Sequence, residues 1–242
     1  MKNLVVLAGL IAAASTGCII SSDSGSSQAH VGATWTIKSI VSGAETGCPG
    51  GFDTAALYNQ PIDSAGNAVG SPIIDLFDCV AGAGTSAPLP PTMYETHVEI
   101  TNHNNTSVYA TSVPADLDVT DVDLTYHTDI LDDGGYFAFA WSLTGRQSGT
   151  PLDCTSAGVD GSSSGIELIA TVSGGTASAA DQFTCTDGSG VTAGYPAGNY
   201  TVSIDAFTSA GAVGTAAAIN SSIQPQNKVT NLNTVSIPID GK

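Results

Sequence analysis

Basic residues are scarce: five Lys and Arg stand against 22 Asp and Glu in 242 residues, a formal balance of −17. Such a surface repels phosphate backbones and anionic headgroups, which argues against nucleic-acid binding and electrostatic docking on membranes. Histidine is limited to His30, His97, His103 and His127, in none of the spacings of a zinc-protease helix. There is no C-x-x-C pair, G-x-S-x-G elbow or Walker loop, so the zinc, acyl-transfer and nucleotide chemistries that carry these signatures have no support. Sustained 3.6-residue apolar periodicity is missing as well. β-Branched residues instead alternate with polar ones between Gly, Asn, Asp and Pro, the pattern of an all-β chain.

What is present is a duplication. Trp35, Cys48 and Cys79 are followed by Trp141, Cys154 and Cys185, each pair 106 residues apart. The same offset aligns Ile37 with Leu143, Gly43 with Gly149, Asp75 with Asp181, Phe77 with Phe183, Gly84 with Gly190, Pro90 with Pro196 and Tyr94 with Tyr200. Ten positions in register make an internal repeat, and each half is long enough to bury a core of its own.

The N-terminus reads as an export signal. Lys2 is a short positive region, Leu4 to Ala14 is apolar but too short to span a bilayer, and Ser15-Thr16-Gly17 precedes Cys18. This resembles a bacterial lipobox, with Ser15 where that pattern prefers Leu, and implies that Cys18 is acylated. The alternative is cleavage near Ala12 to Ala14, which strands an odd thiol in an oxidising compartment; five cysteines divide better into one lipidated residue and two equivalent pairs. Residues 18–31, rich in Ser, Asp, Gly and Gln, form a tether with an end-to-end reach of roughly 20 Å. The chain thus divides into a signal segment 1–17, the tether 18–31, and sandwich repeats at 32–134 and 135–242.

Within each repeat, Trp35 and Ile37, or Phe139, Trp141 and Leu143, share the core face of an opening strand. A second strand is clearest at Ile166 to Val172. Phe77 with Cys79, and Phe183 with Cys185, point inward together. The turns at Pro90–Tyr94 and Pro196–Tyr200 lead into strands with Tyr94, Thr96, Val98 and Ile100, or Tyr200, Val202, Ile204 and Ala206, on one face. A tyrosine at that corner is expected to bond back to the loop backbone. Turns at Asn102–Asn105 and Ser209–Ala212, and closing strands at Thr125–Leu131 and Asn233–Ile239, complete about seven strands per repeat. The expected fold is therefore all-β, two tandem β-sandwich domains.

Phe183-Thr-Cys-Thr-Asp-Gly-Ser-Gly and Pro196-Ala-Gly-Asn-Tyr-Thr-Val-Ser-Ile204 resemble the second half of prealbumin-like and Ig-like modules of bacterial envelope proteins, including collagen-adhesin B-type and carboxypeptidase-regulatory-like repeats. Some adhesin modules of this kind carry a Lys–Asn isopeptide bond. The one candidate here, Lys38, lies on the face opposite Trp35 and Ile37, and the second copy has Thr144 in its place. The covalent staples are expected instead at Cys48–Cys79 and Cys154–Cys185, one per domain, because a duplicated module keeps its own closed bond and crossed pairs would need separate cores to meet within about 7 Å.

Two acidic groups are candidates for cations. Glu95, His97 and Glu99 share one outward strand face, where a divalent metal or plain solvation would each account for them. Asp116, Asp118, Asp121, Asp123, Asp129, Asp132 and Asp133 run to the domain junction, a density of oxygen ligands that suits Ca²⁺, with Asp121, Asp123, Asp132 and Asp133 as the candidate ligands, although no loop signature supports a site and plain solvation accounts for them as well. Trp35 and Trp141 as a sugar platform are outweighed by their sharing faces with Ile37 and Leu143. No catalytic set emerges. The expectation is a lipid-anchored protein of the bacterial outer membrane with a non-enzymatic binding or structural role toward an envelope protein or glycan. A carbohydrate-binding or metal-dependent accessory module is the alternative.

Overall fold

A computed structural model describes residues 28–120 and 122–242. The signal segment, Cys18, nearly all of the tether and Asp121 lie outside the described residues. The first half contains β1 (Val31–Lys38), β2 (Thr54–Ile62), β3 (Ile73–Asp78), β4 (Ala83–Thr85), β5 (Met93–Thr101), β6 (Val108–Thr111), β7 (Ala115–Asp118) and β8 (Leu124–Leu131). The second contains β9 (Gly134–Gly145), β10 (Pro151–Leu152), a one-turn helix α1 (Cys154–Ala157), β11 (Gly165–Val172), β12 (Ser178–Phe183), β13 (Ser189–Val191), β14 (Tyr195–Pro196), β15 (Gly198–Thr208), β16 (Gly211–Thr215), β17 (Ile219–Ile223) and β18 (Lys228–Ile239). The strands beyond the seven expected per repeat are short ones that sequence patterning does not resolve.

Each half is a sandwich with its own core. In the first, β4-β1-β8 packs over β3-β2-β5, with β6 and β7 both paired to β5. In the second, β13, β14 and β18 flank β9, facing β12-β11-β15 with β16 and β17 on β15; a single bridge, Gly214 to Ile239, joins the two layers along one side. First and last strands of each domain pair in parallel, β1 with β8 and β9 with β18. A parallel neighbour needs a long crossover, and the rest of the domain supplies it.

The alternation that suggested strands is the alternation of burial. Val31, Ala33, Trp35 and Ile37 point inward from β1, as do Tyr94, Thr96, Val98 and Ile100 from β5. Cys48 is bonded to Cys79 and Cys154 to Cys185, both across a sequence separation of 31. Cys79 and Cys185 sit in short 3₁₀ turns just after β3 and β12, which hold their carbonyls toward the core. There the indole N–H of Trp35 donates to the Cys79 carbonyl at 2.9 Å, and that of Trp141 to the Cys185 carbonyl at 3.0 Å. A buried indole must find an acceptor, and the staple supplies one in both domains. Phe77 and Phe183 lie against these tryptophans, ring centroids 6.1 and 6.0 Å apart. A Cβ on Gly84 or Gly190 would come within 2.6 or 2.4 Å of the phenylalanine ring, which explains why glycine recurs at that register.

The tyrosine corners are present: Tyr94 donates to the Pro90 carbonyl at 2.9 Å and Tyr200 to the Pro196 carbonyl at 2.8 Å. Only Asp132 and Asp133 separate β8 from β9, and the junction is tied by hydrogen bonds. Asp133 accepts from the Ser39 hydroxyl and the Ile40 amide, both at 2.6 Å, and these donors, Ser39 first, hold its carboxyl below the usual range. Asp132 accepts from the Tyr109 hydroxyl; burial, then this partner, push that phenol up to about 12. Buried Asn227 reaches back from the second domain, accepting from the Leu131 amide at 2.7 Å and donating to the Thr111 carbonyl at 2.8 Å.

Candidate functional site

Most described acids of the run toward the junction are engaged by separate neighbours. Asp123 accepts from the His30 amide at 2.8 Å, Asp118 from Thr120 at 2.7 Å, Asp129 pairs with Lys38, and Asp132 and Asp133 are engaged as above. Among the described residues, no three His, Cys, Asp or Glu side chains are arranged to hold a metal. Of the four acids singled out for Ca²⁺, Asp121 lies outside the described residues, and Asp123, Asp132 and Asp133 are each occupied by a different neighbouring donor.

Glu95, His97 and Glu99 do share one face of β5, but it is not an open solvated face. Their environment is set by register. Tyr58 of β2 stands opposite His97, Gln60 opposite Glu95 and Ala56 opposite Glu99, with Thr111 of β6 and Asp116 of β7 on the other flank. The Tyr58 ring stacks on the His97 imidazole, centroids 5.0 Å apart and planes 6° from parallel, while Asn105 of the β5–β6 turn donates to the Tyr58 hydroxyl at 3.3 Å. The His97 and Glu99 side chains are each only 18% exposed and 3.9 Å apart, and Thr111 donates to Glu99 at 3.4 Å. Two carboxylates flank one imidazole without converging on a common point. The arrangement packs an aromatic pair among acids.

Burial pulls the His97 pKa below its ordinary 6.5, and this outweighs the opposing pull of Glu99 and Glu95. Imidazole in the unfolded chain therefore takes up its proton first as pH falls. The His97 contribution to stability is complete above pH 6.5 and is lost as pH drops through the lower folded value. Acid titration should show stability declining between pH 6.5 and that lower value, with a shallower decline for His97→Gln. An NMR titration that places His97 at or above 6.5 would contradict the assignment.

Beside this pair the same sheet ends in β3, whose Ile74 and Leu76 are 41% and 53% exposed. Thr54, Leu76, Phe77, Asp78 and His103 border a depression of about 450 Å³ at its end. The second domain has neither the stacked pair nor the exposed apolar residues of that edge strand. Register places Ile169 where Tyr58 stands and Ser203 at His97, with Thr201 and Asp205 at the two glutamates and Ala180 and Gln182 at Ile74 and Leu76. The two tryptophans are no sugar platform, being 5% and 8% exposed.

The chain is an all-β protein of tandem β-sandwiches. No protein-family model and no curated protein matches its sequence. Solved structures similar in fold include the minor pilin GBS52 of Streptococcus agalactiae, 10% identical, over 88% of this chain and 98% of that one, with a TM-score of 0.31. A leucine-rich repeat protein of Bacteroides thetaiotaomicron is 13% identical over 87% of this chain, with a TM-score of 0.34, and this chain spans 26% of its length. A third, from the same organism and described as polysaccharide binding, is 9% identical over 76% of this chain and 77% of that one, with a TM-score of 0.29. The site on β2, β3 and β5 rests on this chain's own residues.

Sequence comparison at a fixed offset found the β5 half of that site and missed the β2 half. β2 begins six residues after Cys48, whereas β11 begins eleven after Cys154, with α1 in the added length; the β2–β3 connection then restores the difference. Tyr58 and Ile169 are therefore 111 apart, and the 106-residue offset hides that they correspond.

Proposed function

We propose that the protein is a lipid-anchored, non-enzymatic envelope protein that carries two sandwich domains, 32–134 and 135–242, on a tether and binds through the first. The observation that carries this reading is where the two copies differ. Both keep what folding requires: the disulfide, the indole bond to its carbonyl, the phenylalanine over glycine and the tyrosine corner. The outer face of β3, β2 and β5 is free of that requirement, and there the first copy carries the stacked Tyr58 and His97, two glutamates and the exposed Ile74 and Leu76, which the second copy lacks. Exposed residues of this kind, set on a rigid scaffold, suit binding.

Cysteine usage supports the anchor. Four of the five cysteines are in the two disulfides, and the fifth is Cys18 of Ser15-Thr16-Gly17-Cys18. Disulfides belong to compartments outside the reducing cytosol, where a lipidated cysteine is also made. The proposed partner is an envelope protein, and the proposed location is the outer membrane.

Cys18→Ala is expected to move the protein from the membrane fraction to the soluble periplasm or medium. Mass spectrometry of the native N-terminus should show a diacyl or triacyl adduct on Cys18. An unmodified N-terminus upstream of Cys18 overturns the anchor.

A further inference from the structure

We propose that β3 is a docking edge that takes an extended segment of a partner protein, one whose residues alternate between apolar and basic. The strand pairs with β2 on one side and ends its sheet on the other. Its register is continuous from Asn59 opposite Ile73 to Thr54 opposite Asp78, so no bulge twists the edge away. Free edges are normally blunted by Lys, Pro, bulges or a covering loop, because their unpaired amides and carbonyls template a further strand. The sequence Ile73-Ile74-Asp75-Leu76-Phe77-Asp78 has no Lys or Pro and places Ile74 and Leu76 two apart on the outward face, both substantially exposed.

The second domain is the internal control. β12 ends its sheet in the same way, yet carries Ala180 and Gln182 at those positions. Its Asp181 also ties down the neighbouring loop, accepting from the Ala193 amide at 3.2 Å and from the Tyr195 hydroxyl at 2.6 Å. In the first domain Leu89 stands where Tyr195 does, and the corresponding Asp75 has a buried Oδ2 that no donor among the described residues satisfies. A buried carboxylate oxygen without a partner is costly and rare in a native domain. β3 is thus more apolar than its counterpart and holds an acceptor that its own domain leaves unfilled.

Charge selects the partner. No Lys or Arg occurs between Lys38 and Arg146, and the end of β3 is bordered by Asp53 and Asp78, with His103 3.7 Å from Asp53 as the one nearby base. A second copy of this acidic chain brings no complementary charge. An incoming strand with apolar side chains over Ile74 and Leu76 carries its alternate residues on the opposite face, where Lys or Arg meets Asp75, since main-chain bonds give affinity and alternate side chains give specificity.

The test uses the full chain carrying Cys18→Ala, isotope-labelled, with a synthetic peptide of about ten residues alternating Val and Lys. Amide signals of residues 73–78 should shift and gain exchange protection on addition of peptide, while those of 178–183 stay unchanged. Ile74→Lys with Leu76→Lys, both on exposed side chains, should weaken binding by about tenfold or more with unchanged circular dichroism and melting. A peptide of the same composition in two blocks, or one alternating Val and Glu, should bind at least about tenfold more weakly. Equal binding by either control, equal shifts at 178–183, or no binding of the Val/Lys peptide overturns the proposal. So does a dimer in sedimentation that the double substitution abolishes, which would make a second copy the occupant. Because the chain in this test is unlipidated, such a failure leaves the anchor standing or falling on the fractionation alone.

Discussion

Converting Cys154 and Cys185 together to serine is expected to destabilise the second domain by about 4 kcal/mol, from the chain entropy of closing a loop with a sequence separation of 31. Against a total stability of about 5–15 kcal/mol for a domain, that is a large share. The staple also fixes the 3₁₀ turn whose carbonyl accepts the Trp141 indole, so the loss reaches the core and not only the unfolded ensemble. Urea unfolding of the double variant, and of the native protein with and without reductant, measures it. A loss below about 1 kcal/mol would show that the bond is incidental to the fold. The Cys48–Cys79 bond has the same separation and should behave alike. Cleavage between Asp133 and Tyr136, followed by denaturation without reductant, should release two fragments, since neither bond crosses the junction.

Trp141→Ala should cost the second domain about 3–5 kcal/mol, the range for deleting a large buried aromatic. The indole is 8% exposed and lies 5.4 Å from the Phe139 ring and 6.0 Å from the Phe183 ring. Its removal opens a cavity between the sheets and leaves the Cys185 carbonyl without its donor. Trp141→Phe separates these effects, because it restores most of the apolar volume but not the donor, and should cost about 1–3 kcal/mol. Either variant leaves Trp35 as the sole tryptophan, so its emission follows the first domain while circular dichroism follows both. The Trp35 midpoint should move much less than the loss in the second domain, because each tryptophan belongs to a separate core. A loss under about 1 kcal/mol for Trp141→Ala would mean that the indole is not part of the packed core.

Some of the architecture was legible because the physics behind it is local or repeated. The period of two in Tyr94, Thr96, Val98 and Ile100 is the pleat itself, and all four are buried in β5, along with Thr101 at its end. The recurrence of Trp, Cys and Cys at one spacing marked the staple, and Pro90 with Tyr94 and Pro196 with Tyr200 marked the corner. Each of these constellations spans a short stretch or appears twice, so chance agreement was already improbable. The acidic run near the junction has no such repeat behind it. Density along the chain suggested Ca²⁺, whereas the carboxylates of Asp123, Asp129, Asp132 and Asp133 are each engaged by a different group.

By itself, then, the sequence determined the all-β class, the duplication, the inward faces, the paired cysteines and the two tyrosine corners. Tertiary structure alone decided that Tyr58 stacks on His97, that β3 ends its sheet with Ile74 and Leu76 uncovered, and that Asn227 spans the junction. The reason is register and order. Alternation says which residues share a face of one strand but not which strand lies beside it. The unequal segments on either side of β2 and β11 shift that pairing by five residues without changing the overall 106-residue offset. An edge, likewise, is a property of strand order, so whether Ile74 and Leu76 are core or surface is settled only when β2 occupies one side of β3 and nothing in the domain pairs with the other.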